Sequence, residues 1–390
     1  MKKKIAIVTS HPIQYNAPWF KLLARSEKVA PRVFYTWEQS AGGSKYDPEF
    51  GREIKWDIPL LEGYDHVFVK NIATDPGTHH FKGLVNPGLN REIEEWKPDA
   101  VLVFGWNFSS HLGCLRHFHG KVPVFFRGDS TLLNEAGGIK KLIRRMFLRW
   151  VYHYVDVGLY VGQHNKDYFL RHGLRADQLV YAPHAIDNQR FATPEEEYHS
   201  RAMKWREELG IRDTDLVVLF AGKLEHQKNP YFLVEMMRGM EGDGVKIVIV
   251  GNGAMEKEIK QAARGDGRIL LLDFQNQQIM PVVYRLGDIF ILPSVSETWG
   301  LGANEAMASG CAVMMSDRAG GAIDLIREGI GGNGMIFGAA DQEKCRVLLR
   351  ELYGNRERLA AMKAASREMI RHFSFEKIVN AVETAMTGAV

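Results

Sequence analysis

The segment Asp288–Asp317, DIFILPSVSETWGLGANEAMASGCAVMMSD, contains a complete strand–helix–strand pattern. DIFILPS and AVMMSD are short runs of the apolar residues that buried parallel strands use. A helix is predicted between them, beginning at Gly300 or Leu301 and ending near Gly310, a glycine suited to the position after a helix. Strands joined in this way by a helix form right-handed crossovers. The segment therefore indicates an α/β fold with a parallel sheet.

The same alternation extends through most of the chain. The predicted strands before residue 190 are KIAIVTS, PRVFYTW, DAVLVFGW, VPVFFRG, VGLYVG and LVYAPHAI, and those after Asp215 begin with LVVLFAG, KIVIVGNG and RILLLDF. A charged segment without strand-like runs, DNQRFATPEEEYHSRAMKWREELGIRDTD, separates the two series. Because 390 residues exceed one ordinary core, we predict two Rossmann-like, doubly wound α/β domains, 1–190 and 191–373, facing each other across a cleft.

Composition excludes several classes of protein. The chain is 45% hydrophobic and 25% charged, as is usual for soluble globular proteins. No apolar run reaches the roughly 18 to 20 residues of a membrane span, and MKKKIAIVTSHP is interpreted as a first strand rather than a secretion signal. Three cysteines are too few and scattered for a disulfide framework or a metal cage, and a net charge of +3 is too weak to argue for nucleic acid. We expect a cytoplasmic protein.

The stretch SETWGLGANE, 296–305, combines two carboxylates with a glycine-flanked turn at the end of a strand and the start of a helix. The unpaired N–H groups and the dipole of a helix N-terminus favour a phosphate, and Gly300 and Gly302 would allow its close approach. Glu297 and Glu305, on either side, are good acceptors for sugar hydroxyl groups. A nucleotide sugar has hydroxyl groups on both sides of its phosphates. The alternative is a capping acid together with one solvated glutamate.

Two further strand ends in the second domain show compatible loops. FAGKLEHQKNP places Lys223 and Lys228 around one turn, where two ammonium groups would neutralise a diphosphate. VIVGNGAMEKEI places Gly251 and Gly253 between a strand and a helix, but Glu256 occupies the third position of the dinucleotide-binding fingerprint. Three loops at one edge of a sheet are a stronger signal than any one of them.

These residues carry a resemblance to a known family. SETWGLGANEAMASG resembles the E-x7-E element of retaining glycosyltransferase family 4, whose members have the GT-B fold. AGKLEHQK resembles its lysine loop, with Lys223 where arginine is usual. PHAID…RF resembles its P-N-G-V-D segment, with His184 in the place of asparagine, and FSFEKI resembles the start of its last helix. The resemblance extends over the second domain and only thinly over the first.

The resemblance implies a role for each part of this site. Glu297 would hold hydroxyl groups of the donor sugar, Glu305 the ribose, and the two lysines the departing diphosphate, while Asp273–Gln277 would meet the base. It also implies no metal and no cofactor besides the nucleotide sugar, and a last helix, 374–390, that crosses back to the first domain. The predicted donor-binding residues are Gly222, Lys223, Lys228, Gly251, Asn252, Gly253, Phe274, Gln275, Asn276, Glu297, Thr298, Trp299, Gly300, Leu301 and Glu305.

In the first domain, SHPIQYNAPWF leaves the first strand and offers His11, Gln14 and Tyr15 to an acceptor or to the donor phosphates. VPVFFRGDS has Asp129, preceded by Arg127 and Gly128, where the family commonly has a histidine that touches the donor sugar, and Arg127 is predicted as a further acceptor-side residue. Asp129 is therefore predicted as a catalytic residue together with Lys223, Lys228 and Glu297. The histidines His111 and His184 are alternatives for the contact with the transferred sugar.

Two charged motifs have other interpretations. DTD, Asp213–Asp215, looks like a metal motif of another glycosyltransferase fold, but it precedes a strand and is predicted to be a turn. KKLIRRMFLRW, Lys140–Trp150, is a basic amphipathic segment. The interpretation favoured for it is a solvated helix face, and the alternative is peripheral contact with anionic lipid at the inner face of a membrane.

The sequence thus predicts a retaining, metal-independent glycosyltransferase. It would move a sugar from a nucleotide-diphosphate sugar to a glycan, a lipid-linked acceptor or a small molecule. Three alternatives stay open: a nucleotide-sugar epimerase on the same fold, a nicotinamide-dependent dehydrogenase, and a non-catalytic subunit with a transferase fold.

Overall fold

The computed structural model describes residues 1–38, 45–47, 52–54, 57–133, 135 and 137–388. The chain forms two compact units. The first comprises Met1–Lys45, Ile58–His184 and Phe375–Val390, and the second comprises Tyr46–Asp57 and Ala185–Ser374. The predicted first domain, 1–190, included 46–57, which groups instead with the second unit. There the Gln278 side-chain amide donates to the Asp57 carbonyl oxygen at 2.6 Å.

Strands and helices alternate along the described residues, as the sequence predicts. The strands are β1 (Lys3–Thr9), β2 (Val29–Tyr35), β3 (Lys45–Asp47), β4 (Arg52–Ile54), β5 (Asp65–Phe68), β6 (Ala100–Phe104), β7 (Val124–Arg127), β8 (Val157–Tyr160), β9 (Leu179–Tyr181), β10 (Leu216–Ala221), β11 (Val245–Val250), β12 (Ile269–Leu272), β13 (Ile289–Leu292), β14 (Ala312–Ser316) and β15 (Gly334–Phe337).

The α-helices are α1 (Ala17–Ala24), α2 (Leu89–Trp96), α3 (Ser109–Phe118), α4 (Ile139–Tyr152), α5 (Gln163–Arg171), α6 (Asn188–Ala192), α7 (Glu195–Glu208), α8 (Tyr231–Arg238), α9 (Glu256–Ala262), α10 (Met280–Tyr284), α11 (Leu301–Ala308), α12 (Ala322–Leu325), α13 (Gln342–Gly354), α14 (Arg356–Ile370) and α15 (Phe375–Thr387). Short 3₁₀ turns occur at Phe81–Gly83 and Ala176–Gln178. Within the described part of the chain, no helix has the length and apolar composition needed to span a bilayer.

Each unit is built on a parallel sheet. The first sheet has the order β5-β2-β1-β6-β7-β8-β9 and the second the order β12-β11-β10-β13-β14-β15, and β3 pairs with β4 separately. The registered pairs inside both large sheets are parallel. The edge strands β5 and β15 were not predicted from the sequence pattern. Both are only four residues long, and an edge strand does not need a fully apolar run.

Apolar residues from both faces of the strands form the cores. In the first unit Val8, Val103 and Phe126 are at most 2% exposed, and in the second Phe220 and Met314 are fully buried. Burial on both faces explains why the strands are continuous apolar runs rather than alternating patterns.

The last helix belongs to the first unit. α15 packs against α1, and Glu383 on α15 accepts hydrogen bonds from Ser26 at 2.6 Å and Lys28 at 3.0 Å. Lys3 donates to the main-chain oxygen of Met386 at 2.7 Å. The carboxyl-terminal end of the chain therefore closes one side of the first sheet, while α13 and α14 remain with the second unit.

Candidate functional site

The two carboxylate- and lysine-bearing loops leave neighbouring strands at a switch point of the second sheet. The chain passes outward from β10 through β11 and β12 and then returns to β13 on the other side of β10. In open α/β sheets, ligands bind in the crevice beyond the carboxyl ends of such a strand pair. AGKLEHQK leaves β10 and SETWGLG follows β13. The topology therefore brings together two motifs that are 69 positions apart, measured from Lys228 to Glu297.

These two loops are linked by main-chain and side-chain contacts. The Val295 N–H donates to the Gln227 carbonyl oxygen at 2.9 Å. Beside this bond, the Lys228 ammonium forms an ion pair with a carboxylate oxygen of Glu297, with side chains 25% and 13% exposed. Because removing a charge from water is costly unless the charge is paired, this ion pair holds both side chains in place at the strand end.

The main chain around Glu297 is clamped on both sides. Its N–H donates to the Arg318 carbonyl oxygen at 3.2 Å, and its carbonyl oxygen accepts from the Gly320 N–H at 3.0 Å. Gly300 has φ +101° and precedes α11, which begins at Leu301. A left-handed conformation is natural for glycine, and it turns the chain from the Glu297 segment directly into the helix.

Glu305 is a buried carboxylate on α11. It is 3% exposed, and the hydroxyl group of Tyr284, itself 1% exposed, donates to its Oε2 at 2.7 Å. The alternative interpretation of this residue as a solvated glutamate is therefore wrong. Trp299 is also buried and donates from Nε1 to Asn304 Oδ1 at 2.9 Å. Burying a carboxylate is costly. The position of the Glu305 carboxylate, one turn inside the helix at a switch point, therefore favours a role in binding.

The loop after β11 has glycines for a reason that the sequence did not reveal. A Cβ atom on Gly251 would collide with the main-chain oxygen of Gly222, and one on Gly253 with main-chain atoms of Leu224. Their φ angles are +141° and +156°. The missing side chains thus allow the loops after β10 and β11 to pack main chain against main chain. Phosphate approach, the reason given from the sequence, is not needed to explain these glycines.

The segment predicted to meet the base lies beside this loop and is held in place. Asn252 Oδ1 accepts from the Phe274 N–H at 2.7 Å, and Arg190 donates to the Gln277 carbonyl oxygen at 2.6 Å. Gln275 and Asn276 are half-buried. A cavity of about 410 Å³ opens here, and its lining includes Gly251, Glu256, Lys260, Asp273 and Gln275.

In the first unit, Arg127 joins the carboxyl ends of β7 and β9. Its guanidinium is buried and donates to the carbonyl oxygens of Ala182 at 2.7 Å and Pro183 at 3.1 Å. The next residue in the chain, His184, has its Nε2 3.6 Å from Asp129 Oδ2. Burial lowers the pKa of Arg127 to about 10, while the negative charge of Asp129 raises it. Asp129 and His184, considered separately in the sequence, therefore form one pair.

His11 follows β1 at the switch point of the first sheet, where β2 and β6 flank β1. Its Nδ1 is 3.0 Å from Ser10 Oγ. Its ring makes an edge contact with the Trp37 ring, with 5.5 Å between the ring centroids. Gln14 and Tyr15 are half-buried in the turn before α1. His11, Gln14 and Tyr15 thus lie at the carboxyl edge of the first sheet or directly after it, whereas Arg127, the fourth predicted acceptor-side residue, is buried and donates to main-chain oxygens.

His111 is a structural residue rather than a sugar contact. It is fully buried on α3, its Nδ1 lies 2.8 Å from the Phe104 carbonyl oxygen, and its Nε2 lies 3.1 Å from the Thr36 hydroxyl oxygen. Burial lowers the pKa of His111 to about 4. A neutral histidine with both ring nitrogens occupied links α3 to β2 and β6 and does not face a ligand.

One group of described residues has the composition of a metal site. Asp75, His79 and His80 lie in the loop after β5, with the Nε2 atoms of the histidines 3.2 and 3.4 Å from Asp75 Oδ2. Their spacing in the sequence did not indicate a site. His80 Nε2 is also 2.9 Å from the Asp75 carbonyl oxygen. These are ordinary hydrogen-bond distances for exposed side chains, so the group is explained without an ion.

The DTD segment is a turn, as predicted. Asp215 is buried and accepts from Arg212, whose main-chain N–H and guanidinium lie 2.9 Å from its two carboxylate oxygens. Asp213–Asp215 precedes β10 and therefore lies at the amino edge of the second sheet. That edge is opposite to the switch-point loops, which agrees with the interpretation of DTD as structural.

Comparison with known proteins identifies a related family for part of the chain. Residues 202–369, within the second unit, match the family described as glycosyl transferases group 1. The sulfoquinovosyl transferase SQD2 of Arabidopsis thaliana is 25% identical over 78% of this chain and 59% of its own length. Across the first three curated relatives, the chain spans 34% to 59% of their lengths.

Solved structures resemble the whole chain. Anabaena HepE, crystallised in complex with UDP, has a TM-score of 0.73 at 16% identity and covers 100% of both chains. Sucrose-phosphate synthase from Thermosynechococcus elongatus has a TM-score of 0.75 at 16% identity, covering 100% of this chain and 99% of its own. The prediction of two Rossmann-like α/β domains of the GT-B type is confirmed.

Proposed function

We propose that this chain is a glycosyltransferase that moves a sugar from a nucleotide-diphosphate sugar to an acceptor hydroxyl group with retention of the anomeric configuration. The observation that carries the proposal is the Lys228–Glu297 ion pair at the switch point of the second sheet, with the buried Glu305 one turn inside α11. The match of residues 202–369 to group 1 glycosyl transferases supports it.

The proposed donor lies across the carboxyl ends of β10 and β13. Its diphosphate meets the Lys223 and Lys228 ammonium groups and the N-terminus of α11, where N–H groups and the helix dipole favour an anion. Glu305 accepts from the ribose hydroxyl groups, and Glu297 accepts from the sugar. The base takes the cavity beside Asp273 and Gln275. Each carboxylate thus faces hydroxyl groups and each cation faces phosphate.

The proposed reaction breaks the bond between the anomeric carbon and the diphosphate oxygen. Lys223 and Lys228 stabilise the charge that develops on the departing diphosphate. The acceptor hydroxyl group attacks the same face of the sugar, so its proton can pass to the departing phosphate oxygen, and the new glycosidic bond forms. No enzyme nucleophile is assigned in this route. The acceptor is a glycan, a lipid-linked sugar or a small molecule.

A ligand panel tests the donor class. We expect UDP and UDP-sugars to raise the thermal unfolding temperature, since UDP is the nucleotide present in crystals of the HepE neighbour. NADH should leave the unfolding temperature unchanged. A ligand at about 100 times its dissociation constant adds roughly 2.7 kcal/mol to the free energy of unfolding. The panel should also include GDP- and ADP-sugars, because the base is not fixed by the residues named above.

A matched pair of variants locates the effect. Glu305→Gln keeps the shape of the side chain and should reduce the stabilisation by nucleoside diphosphate, whereas Glu368→Gln on α14 should not.

Product analysis then separates the open alternatives. Conversion of the sugar without an acceptor would establish an epimerase, NADH stabilisation would establish a dehydrogenase, and donor binding without turnover over a broad acceptor panel would favour a non-catalytic subunit.

Chelation tests the proposed independence of metal. We expect EDTA to leave the transfer rate unchanged, because two lysines supply the positive charge that a divalent ion supplies in other transferases. The measurement is the initial rate after dialysis against EDTA, with and without added magnesium. Loss of transfer that magnesium restores would show that the lysines do not act alone.

A further inference from the structure

Helix α4 presents an apolar stripe to solvent. Ile139, Leu142, Ile143, Met146 and Trp150 are exposed by 78%, 58%, 62%, 66% and 40%. Together with Phe147 they follow the spacing i, i+3, i+4, i+7, i+8, i+11, which places them on one helix face. An apolar face at this spacing usually packs against the core. Here it faces outward.

The opposite face of α4 fixes the helix to the first unit. Leu148 and Val151 are fully buried and Tyr152 is 3% exposed, and all three belong to the core of that unit. The helix therefore already has a face that packs into the core, and the outward stripe is a second apolar face. This face is exposed to solvent, as the favoured sequence interpretation expects, but the centre of the exposed face is apolar rather than basic.

Basic side chains border the apolar stripe. Between Ile139 and Tyr152 the sequence contains five lysines or arginines and no acid: Lys140, Lys141, Arg144, Arg145 and Arg149. Glu135, just before the helix, is 7% exposed and lies 3.0 Å from Lys141 and 2.9 Å from His172. At 3.6 residues per turn, Lys140 and Arg149, both exposed, flank the stripe on its two sides, whereas Lys141, Arg144 and Arg145 lie nearer the core-facing side. The outer surface of α4 therefore combines an apolar centre with an exposed cation on each side.

Aromatic contacts hold the stripe at one end. The Phe147 ring contacts Trp106 at 5.2 Å and Trp150 at 5.6 Å, and the Arg116 guanidinium lies over the Trp150 ring at 5.6 Å. Tryptophan and phenylalanine beside cationic side chains are the composition of helices that lie in the headgroup region of a bilayer. Trp106 and Arg116 thus connect this end of the stripe to the rest of the first unit.

We propose that α4 docks the protein on the surface of an anionic phospholipid bilayer, with the stripe Ile139–Trp150 inserted at the level of the acyl-chain boundary and the basic margins on the headgroups. A flat anionic surface matches an apolar centre with cations on both sides. The proposal is independent of the proposed function. An acceptor carried by a membrane lipid would then lie at the same bilayer surface as the docked protein.

Sedimentation with vesicles tests the proposal on the full chain. We expect the protein to pellet with phosphatidylcholine vesicles containing about one quarter phosphatidylglycerol at least about tenfold more strongly than with phosphatidylcholine alone, and less strongly as salt rises. The double variant Ile143→Asn, Met146→Asn should lose this binding by at least about tenfold. Val347→Asn, which alters a 54% exposed aliphatic residue on α13, should bind as the wild type does.

Separate measurements keep the result interpretable. All altered side chains are exposed, so circular dichroism and thermal unfolding should be unchanged, and nucleoside-diphosphate binding should be retained in every variant. Failure of the membrane proposal therefore leaves the proposed function untouched. Equal pelleting of the wild type and the double variant would overturn the proposal. So would a dimer in solution that the double variant dissociates, or a wild-type protein that binds an anionic nucleic acid but no anionic vesicles.

Discussion

Replacing Lys228 by methionine should reduce kcat for sugar transfer by about 100- to 1000-fold, the scale of one preorganised group that stabilises charge in a transition state. The charge on the leaving diphosphate increases as the sugar bond breaks, so the lost interaction is larger in the transition state than in the bound donor. We therefore expect kcat to fall more than KM rises. Initial rates over a range of donor concentration measure both quantities.

Two further variants make this result specific. Lys228→Arg retains the charge and should recover part of kcat, although its planar group fits the site differently. Lys204→Met, at an exposed position of α7, should have the wild-type rate. In Lys228→Met the carboxylate of Glu297, 13% exposed, loses this ion-pair partner, so thermal unfolding must be measured alongside. A folded variant that transfers sugar within about threefold of the wild type would limit Lys228 to holding Glu297 in place.

The second large effect is expected at Asp129. Asp129→Asn should leave nucleoside-diphosphate binding intact and lower transfer by roughly a hundredfold or more, the contribution of one positioned acid–base or orienting group. In the structure Asp129 Oδ2 lies 3.6 Å from His184 Nε2, so His184 is the neighbouring group that the substitution affects. Replacement by asparagine keeps the size of the side chain and removes the negative charge beside the histidine and the Arg127 guanidinium.

A matched substitution at the opposite, amino edge of the first sheet supplies the control. Asp156 directly precedes β8, and its Oδ2 accepts from the N–H of Val124, the first residue of β7, at 2.8 Å. Asp156→Asn makes the same chemical change there. Its transfer rate should equal that of the wild type. Calorimetry with UDP and single-turnover transfer separate binding from chemistry. An Asp129→Asn enzyme with the wild-type rate would make the RGDS segment a structural turn.

Much of the fold follows from local sequence alone. Apolar runs such as IAIV in β1 and the intervening helical patterns predicted the strands of both sheets, since burial on both faces demands continuous apolar residues. β5 and β15 escaped prediction because their sequences, DHVF and GMIF, lack the longer apolar run that the edge strand β12 has in ILLL. The grouping of residues 46–57 with the second unit also has no local signal, because it depends on contacts such as that between Asp57 and Gln278.

The candidate site divides in the same way. The sequence by itself determined which loops leave strands, which segments carry Lys228, Glu297 and Glu305, and where a helix N-terminus follows. Only the tertiary structure decided that Lys228 pairs with Glu297, that Arg127 brings His184 to Asp129, and that the α4 stripe faces outward. The physical reason is that periodicity and turn chemistry act between neighbours in the chain, whereas an ion pair, a buried guanidinium or an exposed helix face is defined by which distant residues fill the space beside it.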